Sequence, residues 1–433
     1  MARDDRARDD RETVFTYAAP ALKFGAGAAD EIGFDLAEHG VRRVLVVTDP
    51  GVAATGHPRR VAESLESYGL EPVLFEGARV EPTDASLEAA IGFGRDHGPF
   101  DAFVAVGGGS AIDTAKAVNL LTTNDGELMD YVNAPVGGGR EPRHPLRPLV
   151  AVPTTTGTGS ESTTICVLDV LDQHVKTGIS HRRLRPTLAV VDPRLTLTQP
   201  PGVTACAGLD IVCHALESYT ARPFDAGPRK RPEERVPYCG ANPIADLWSQ
   251  QALTLMAGSF REAVRDGANE RARGDMALAA TVAGMGFGNA GVHVPHANAY
   301  PIAGRVRDFH PEGYPDAEPM VPHGMAVAMT APEAFRFTFQ ASPERHLRAA
   351  QLLGADRLAE RPAHDADVLP AVLVTLMRDV GLPAGLAALG YTGADVPDLV
   401  EGAMKQQRLL ATAPVDVGAD DLAGIFHRSL ELW

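Results

Sequence analysis

The chain has 433 residues, 45% hydrophobic and 22% charged, which is ordinary globular composition at a length that one hydrophobic core seldom supports, so two domains are expected. Its 40 Lys and Arg stand against 56 Asp and Glu, and the resulting formal charge of -16 argues against nucleic acid and anionic membrane surfaces as partners. No apolar run approaches the ~18 residues needed to span a bilayer.

Residues 1–12, Met-Ala-Arg-Asp-Asp-Arg-Ala-Arg-Asp-Asp-Arg-Glu, alternate both signs of charge. They carry no apolar h-region, and their acidic content argues against a mitochondrial presequence. They are expected to form a disordered tail on a cytoplasmic protein. Four cysteines, Cys166, Cys206, Cys213 and Cys239, form no C-x-x-C pair and are read as buried thiols in a reducing compartment.

From residue 13 to 198 short apolar, β-branched runs alternate with helix-like stretches, the pattern of βαβ units around a parallel sheet. Arg43–Thr48 is a strand closed by Asp49, whose carboxylate is placed either to accept hydrogen bonds from a ribose diol, favouring NAD over NADP, or to cap the following turn. A second strand, Asp101–Val106, runs into Gly107, Gly108, Gly109 and Ser110 and then a helix. Glycine lets backbone approach a ligand, Ser110 can cap the helix, and first-turn amides favour a pyrophosphate. The turn departs from the G-x-G-x-x-G dinucleotide pattern, and a tight turn without a ligand is the alternative. A third strand, Leu149–Val152, leads into Pro-Thr-Thr-Thr-Gly-Thr-Gly-Ser-Glu over 153–161, where small hydroxyls suit ribose and phosphate oxygens. Lys176 follows on a hairpin and reads from its spacing as a surface lysine.

Near residue 198 the Gln-Pro-Pro-Gly sequence marks a boundary, and helical periodicity takes over to residue 433. Asp210 and His214 share one face of a helix because residues i and i+4 lie a turn apart. By themselves they make a hydrogen-bonded pair or two ligands of a metal such as Zn(II) or Fe(II). A segment over 222–242, with four prolines inside it, a fifth at its end (Pro243) and the basic cluster 229–235, reads as a lid or a solvated excursion. His293 and His296 follow an Ala- and Gly-rich stretch, and Pro295 argues against continuous helix there. His323 opens an apolar helix, and 331–433 reads as amphipathic scaffold.

Gly107-Gly-Gly-Ser-Ala-Ile-Asp-Thr-Ala-Lys, Pro153-Thr-Thr-Thr-Gly-Thr-Gly-Ser-Glu, Asp210-x-x-x-His-Ala-Leu-Glu and Pro322-His-Gly resemble the iron-containing (group III) alcohol dehydrogenase family from about residue 15 to 430. The resemblance implies an α/β N-terminal dinucleotide-binding domain with a parallel sheet, an all-α C-terminal domain, and a metal site in the cleft. It implies metal ligands Asp210, His214, His296 and His323 around one divalent Fe(II) or Zn(II), and a homo-oligomer, dimer or larger. To the cofactor-binding set of Asp49, Gly107, Gly108, Gly109, Ser110, Thr154, Thr155, Thr158 and Ser160 it adds Asp113 and Lys176.

Tyr238-Cys-Gly-Ala-Asn-Pro-Ile-Ala-Asp-Leu-Trp, the Pro-rich insertion and Ser342-Pro-Glu-Arg-His-Leu further resemble the hydroxyacid-oxoacid transhydrogenase branch. That branch oxidises 4-hydroxybutyrate to succinic semialdehyde while reducing 2-oxoglutarate to 2-hydroxyglutarate, with NAD(H) held through both half-reactions. A conventional NAD-dependent alcohol dehydrogenase that releases its cofactor, and a lyase of the dehydroquinate synthase type, are the alternatives. Family dehydrogenases carry a second histidine four residues after the third ligand, and here that position is Tyr300. A phenol with a pKa near 10 is a poorer proton relay at neutral pH than an imidazole, which leaves the proton route open between Tyr300 and His293, three residues before the third ligand, as candidates. Arg305, Arg307 and the 229–235 cluster are candidates for gripping substrate carboxylates.

Overall fold

The computed structural model describes residues 11–173, 175–314 and 319–433. The expected disordered tail lies mostly outside the described residues, but its last two members are held in place. Arg11 bridges to Pro228, and the buried Glu12 carboxylate accepts the amides of Thr13, Val14 and Lys230 and pairs with Arg235 at 2.7 Å. The Pro-rich segment is thereby tied back to the chain that precedes the sheet.

Compactness divides the chain otherwise than at the single boundary expected near residue 198. One unit comprises Ala19–Ala207 with Glu262–Gly284; the other comprises the segment ending at Ala18, Gly208–Arg261 and Met285–Trp433. In the first, strands β1 (Ala21–Phe24), β2 (Arg43–Val47), β3 (Glu71–Phe75), β4 (Ala102–Gly107), β5 (Leu149–Pro153) and β8 (Leu188–Val191) form a six-stranded sheet in the order β1-β8-β5-β4-β2-β3. Every pairing is parallel. Strands β6 (Ile165–Val170) and β7 (Val175–Ser180) make a separate antiparallel hairpin.

The central strands are buried on both faces, which is why they read as continuous apolar runs rather than as alternation. Leu45, Val47, Phe103 and Ala105 pack on one side, against helices α4 (Asp84–His97) and α5 (Gly109–Thr123). Val44, Val46, Val104 and Val106 pack on the other, with α1 (Ile32–Ala37) and α3 (His57–Ser67); α2 (Pro50–Ala53) and α6 (Leu128–Tyr131) are single turns. The strand order reverses between β2 and β4, and at such a switch point the carboxyl ends of neighbouring strands open a crevice for ligand.

The remaining helices are α7 (Pro201–Thr220), α8 (Pro243–Arg265), α9 (Glu270–Ala290), α10 (Val294–Gly304) and α11 (His323–Thr338). They are followed by α12 (Pro343–Leu352), α13 (Val368–Asp379), α14 (Val396–Met404), α15 (Gln407–Leu410) and α16 (Ala419–Arg428). Gly208 lets α7 approach the Phe260 ring of α8 closer than any Cβ would permit. Helix is not continuous around His293 and His296, as Pro295 implied: α9 ends at Ala290, His293 is the non-helical cap of α10, and Pro295 lies in the first turn of α10, where the missing amide has no intrahelical acceptor to serve. No helix among the described residues is long and apolar enough to cross a membrane.

Candidate metal centre and nucleotide turn

Asp49 and Gly107 follow adjacent strands at the switch point, and a Cβ on Gly107 would stand 3.5 Å from Asp49 Oδ2. One oxygen of Asp49 does cap α2, accepting the Val52 amide at 3.0 Å, so the capping alternative is realised through Oδ1. Helix α5 starts at Gly109 after Gly108 in the cap position, which supplies no side-chain cap and leaves the first-turn amides for an outside acceptor. Ser110 is not the cap: it lies inside the first turn, and its hydroxyl accepts the Glu81 amide at 3.2 Å. Thr155 and Thr158 crowd the same turn. A Cβ on Gly108 would come to 2.9 Å of Thr155 Oγ1, and one on Gly109 to 2.8 Å of Thr158 Oγ1. Thr154 is buried and donates its amide to the Gly107 carbonyl. Uncapped amides, glycines without room for side chains and flanking hydroxyls fit a pyrophosphate.

Three residues expected to touch cofactor are committed elsewhere. Asp113 accepts Ser160 Oγ at 2.5 Å, Lys116 Nζ at 3.2 Å and the Val167 amide at 2.8 Å, so Asp113 and Ser160 belong to a buried knot around Lys116. Lys176 is not a surface lysine: it is buried against Glu81 and Asp169. Burial would lower its pKa, but the two carboxylates raise it above the usual lysine range. Glu81 itself is the one non-glycine residue with a left-handed backbone among those described, at φ 55°.

In the helical unit, α7 presents Asp210 and His214 one turn apart, both buried. His296 comes from the first turn of α10, and His323 is the first residue of α11. Their Nε2 atoms gather on Asp210 Oδ1, at 3.7 Å from His214, 3.5 Å from His296 and 4.0 Å from His323. The His214 ring is stacked 3.9 Å from the Phe287 ring of α9, and His296 meets His323 edge-on at 5.3 Å.

Asp210 Oδ1 and His296 Nε2 are buried with no hydrogen-bond partner among the described residues. Two carboxylates, Asp210 and Glu217, are buried at 2% and 0% exposure, and no lysine or arginine among the described residues pairs with either. A buried pair of anions demands positive charge. Ligand atoms placed tetrahedrally about 2.0–2.2 Å from one ion stand about 3.3–3.6 Å apart, close to the spacings found. Asp210, His214 and His296 offer ligand atoms within 4.8 Å of one another and fit one divalent metal, while His323, expected as a fourth ligand, stands beside them with its Nε2 4.0 Å from Asp210 Oδ1.

The electrostatics agree. Burial alone would raise Asp210, but His214, His323 and His296 hold its carboxyl far below the usual range. Burial pushes His214 down to about 3 against the pull of Asp210, leaving a neutral ring with a lone pair to give. His296 is opposite: burial would lower it, yet Glu217 and Asp210 push it up to about 10, so without metal a proton occupies the place between two carboxylates.

Glu217 is the residue that sequence reasoning missed. It follows His214 in the same motif, and its spacing of seven from Asp210 puts it on the same face of α7 two turns on. That spacing was the available signal.

Tyr300 lies on α10 one turn beyond His296 and meets the His323 ring edge-on at 6.5 Å. His293 does not take the proton-relay part for which it is a candidate. It is fully buried, its Nε2 bonds Thr220 Oγ1 at 3.1 Å, and Phe335 meets it edge-on at 5.8 Å. Burial pushes its pKa down to about 4, more than Glu217 raises it. The unfolded chain takes up this proton near 6.5 and the folded one near 4, so stability is complete above about pH 6.5, falls as pH drops toward 4, and levels off below. The loss is at most about 3 kcal/mol. In the presence of a chelator, urea unfolding should show wild type weakening between pH 7 and 5 and His293→Gln weakening less; equal pH slopes would sink this account.

Four of the candidates for gripping substrate carboxylates are already in ion pairs. Arg305 pairs with Asp398 at 3.3 Å, Arg307 with Asp395, Arg231 with Glu233 and Glu234, and Arg235 with Glu12. The four cysteines are free; three are buried and Cys239 is half-buried.

A glycine turn at a sheet switch point that fits a phosphate, and a buried carboxylate among imidazoles that fits a divalent metal, are the features of a nucleotide- and metal-using enzyme. Residues 19–193 match the iron-containing alcohol dehydrogenase family, and 234–430 match the C-terminal part of the Fe-containing alcohol dehydrogenase family. The chain is 43% identical over 97% of its length to the mitochondrial hydroxyacid-oxoacid transhydrogenase of Bos taurus, covering 91% of that protein. Against the Homo sapiens protein of the same name the figures are 42%, 97% and 90%. Among solved structures, a 1,3-propanediol oxidoreductase matches at TM-score 0.83 and 30% identity over 96% of this chain and 100% of that one. The sulfoacetaldehyde reductase of Bifidobacterium kashiwanohense, in complex with NAD+, matches at 0.79 and 27% over 96% and 98%. This chain belongs to the iron-containing alcohol dehydrogenase family and is a metal-dependent oxidoreductase.

The expectation of a cytoplasmic protein is overturned, because the curated relatives are named as mitochondrial enzymes. Charge alternation over a dozen residues describes a segment's solvation and is a poor guide to the compartment of a folded enzyme.

Proposed function

We propose that this protein is a hydroxyacid-oxoacid transhydrogenase that oxidises 4-hydroxybutyrate to succinic semialdehyde and reduces 2-oxoglutarate to 2-hydroxyglutarate on one retained NAD(H). The observation that carries the reading is 43% identity over 97% of the chain to a relative of that name. When bound, Fe(II) or Zn(II) supplies Lewis acidity to the substrate oxygen, and the nicotinamide accepts and returns the hydride.

The chain's own residues do the rest. Asp210, His214, His296 and His323 hold the ion. The amides that open α5, with Gly107, Gly108 and Gly109, receive the pyrophosphate, and Thr154, Thr155 and Thr158 offer hydroxyls beside it. The free oxygen of Asp49 is available to a ribose diol and repels a 2'-phosphate. Tyr300, beside His323, is the nearer candidate to serve the substrate proton, since His293 is sealed away. Small hydroxy and oxo acids are the partners, and a homo-oligomer of two or more chains is part of the same reading.

The second reading is a conventional dehydrogenase, favoured by the fold likeness to a 1,3-propanediol oxidoreductase. Purified protein given 4-hydroxybutyrate and 2-oxoglutarate without added nucleotide should sustain turnover for many cycles, with one metal per chain by elemental analysis. Strict dependence on free NAD in bulk would favour the dehydrogenase instead.

A further inference from the structure

Glu217 is fully buried, and each of its oxygens has a separate task. Oε1 accepts from His296 Nδ1 at 2.5 Å. Oε2 accepts the His293 amide at 2.5 Å and the His296 amide at 3.4 Å. The second set lies at the start of α10, where the amides of His293, Val294 and His296 have no intrahelical acceptor and where His293, in the cap position, supplies no side-chain cap. Glu217 therefore caps α10 from α7, and a carboxylate at a helix N-terminus is favoured by the helix dipole.

We infer that Glu217 is a positioning residue for the metal, setting both the tautomer and the placement of His296. With one ring proton held on Nδ1 by Glu217, Nε2 is the nitrogen left to give its lone pair when a metal takes the place of the second proton. That nitrogen is the one without a hydrogen-bond partner, 3.5 Å from Asp210 Oδ1. The two backbone bonds hold the first turn of α10 at the same carboxylate, so ring and backbone are fixed from one point. Neither rotation of the ring nor fraying of the turn can then move Nε2 off the site. Asp210, His214 and Glu217 stand at i, i+4 and i+7 on one helix, so α7 carries two ligands and the support of a third. A carboxylate behind a ligating histidine also raises the basicity of the ring, and losing such a support costs about 10- to 100-fold in metal affinity.

The inference rests on the metal-site reading above, and its test separates the two. Metal-stripped wild type and Glu217→Gln are titrated with Co(II) and Zn(II) against a chromophoric chelator, and the Co(II) absorption bands are recorded. Glu217→Gln should bind at least tenfold more weakly with altered bands, and Glu217→Asp, which keeps the charge but cannot reach ring and backbone together, should fall between. A purely structural role would change the urea midpoint of the metal-free protein and leave affinity and bands alone. Wild type that binds metal, beside a folded Glu217→Gln that matches it in both readouts, would overturn the inference. Wild type that binds no metal would overturn the site itself. Should the Gln variant not fold, Zn(II)-loaded wild type with 15N-labelled histidine decides: a proton on Nδ1 of His296 supports the inference, and one on Nε2 refutes it.

Discussion

Asp210→Ala should empty the metal site and abolish turnover while leaving the fold intact. Asp210 supplies the one anionic ligand, and all three imidazole nitrogens face its Oδ1 at 3.5–4.0 Å. Without it no direct donor is anionic, and the one buried carboxylate left nearby, Glu217, stands behind His296. The loss should exceed the about 10- to 100-fold expected for an outer support such as Glu217. The fold should survive because the helices around the site are held by apolar packing of α10 on α11 and of α7 on α8 at Gly208, none of which uses the Asp210 side chain. Elemental analysis, circular dichroism and the two-substrate assay on one preparation test it, with His296→Ala as a parallel case. Full turnover by a variant shown to hold no metal would remove the metal from the chemistry.

Lys116→Met should be among the most destabilising single substitutions in the sheet unit. The Lys116 ammonium is completely buried and serves five acceptors. Asp113 Oδ1 lies at 3.2 Å, the Ser160 carbonyl at 2.9 Å, Ser160 Oγ at 2.7 Å, Thr163 Oγ1 at 3.2 Å and the Ile165 carbonyl at 2.7 Å. Methionine fills much of the volume but leaves the Asp113 carboxylate without its cation and takes the ammonium donor from the Ile165 carbonyl, while the Ser160 carbonyl keeps only the longer bonds from Thr163 at 3.3 and 3.4 Å. Breaking one partner out of a buried pair costs about 3–5 kcal/mol. Adding Asp113→Asn should recover part of that, since the stranded charge is then gone. The urea midpoint reads both variants, and a Lys116→Met protein within about 1 kcal/mol of wild type would refute the account. Because Ser160 closes the threonine loop over 153–161, the same variant should also weaken nucleotide binding.

Much of this protein is legible in its residues. Short continuous β-branched runs bounded by turn residues suit strands covered on both faces, and the glycines after Val106 permit the backbone approach that the nucleotide turn requires. The four-residue spacing in Asp210-x-x-x-His214 puts both side chains on one helical face by geometry alone. Local rules of this kind act over a turn or a strand, and they hold wherever the neighbours in sequence are also the neighbours in space.

Tertiary structure decided what lies beyond that range. Glu217 meets His296 across 79 residues of chain, and no periodicity announces that contact. Lys176 looks like a surface lysine until the hairpin carries it against Glu81 and Asp169. His293 has the right type and spacing for a proton relay, and only the packing of Thr220 and Phe335 around it shows otherwise. The sequence by itself determined which side chains were available and which faces they occupy. Which of them meet, and so which carry charge, metal or only the fold, was decided by burial, because desolvation makes an unpaired buried group costly enough to dictate its partner.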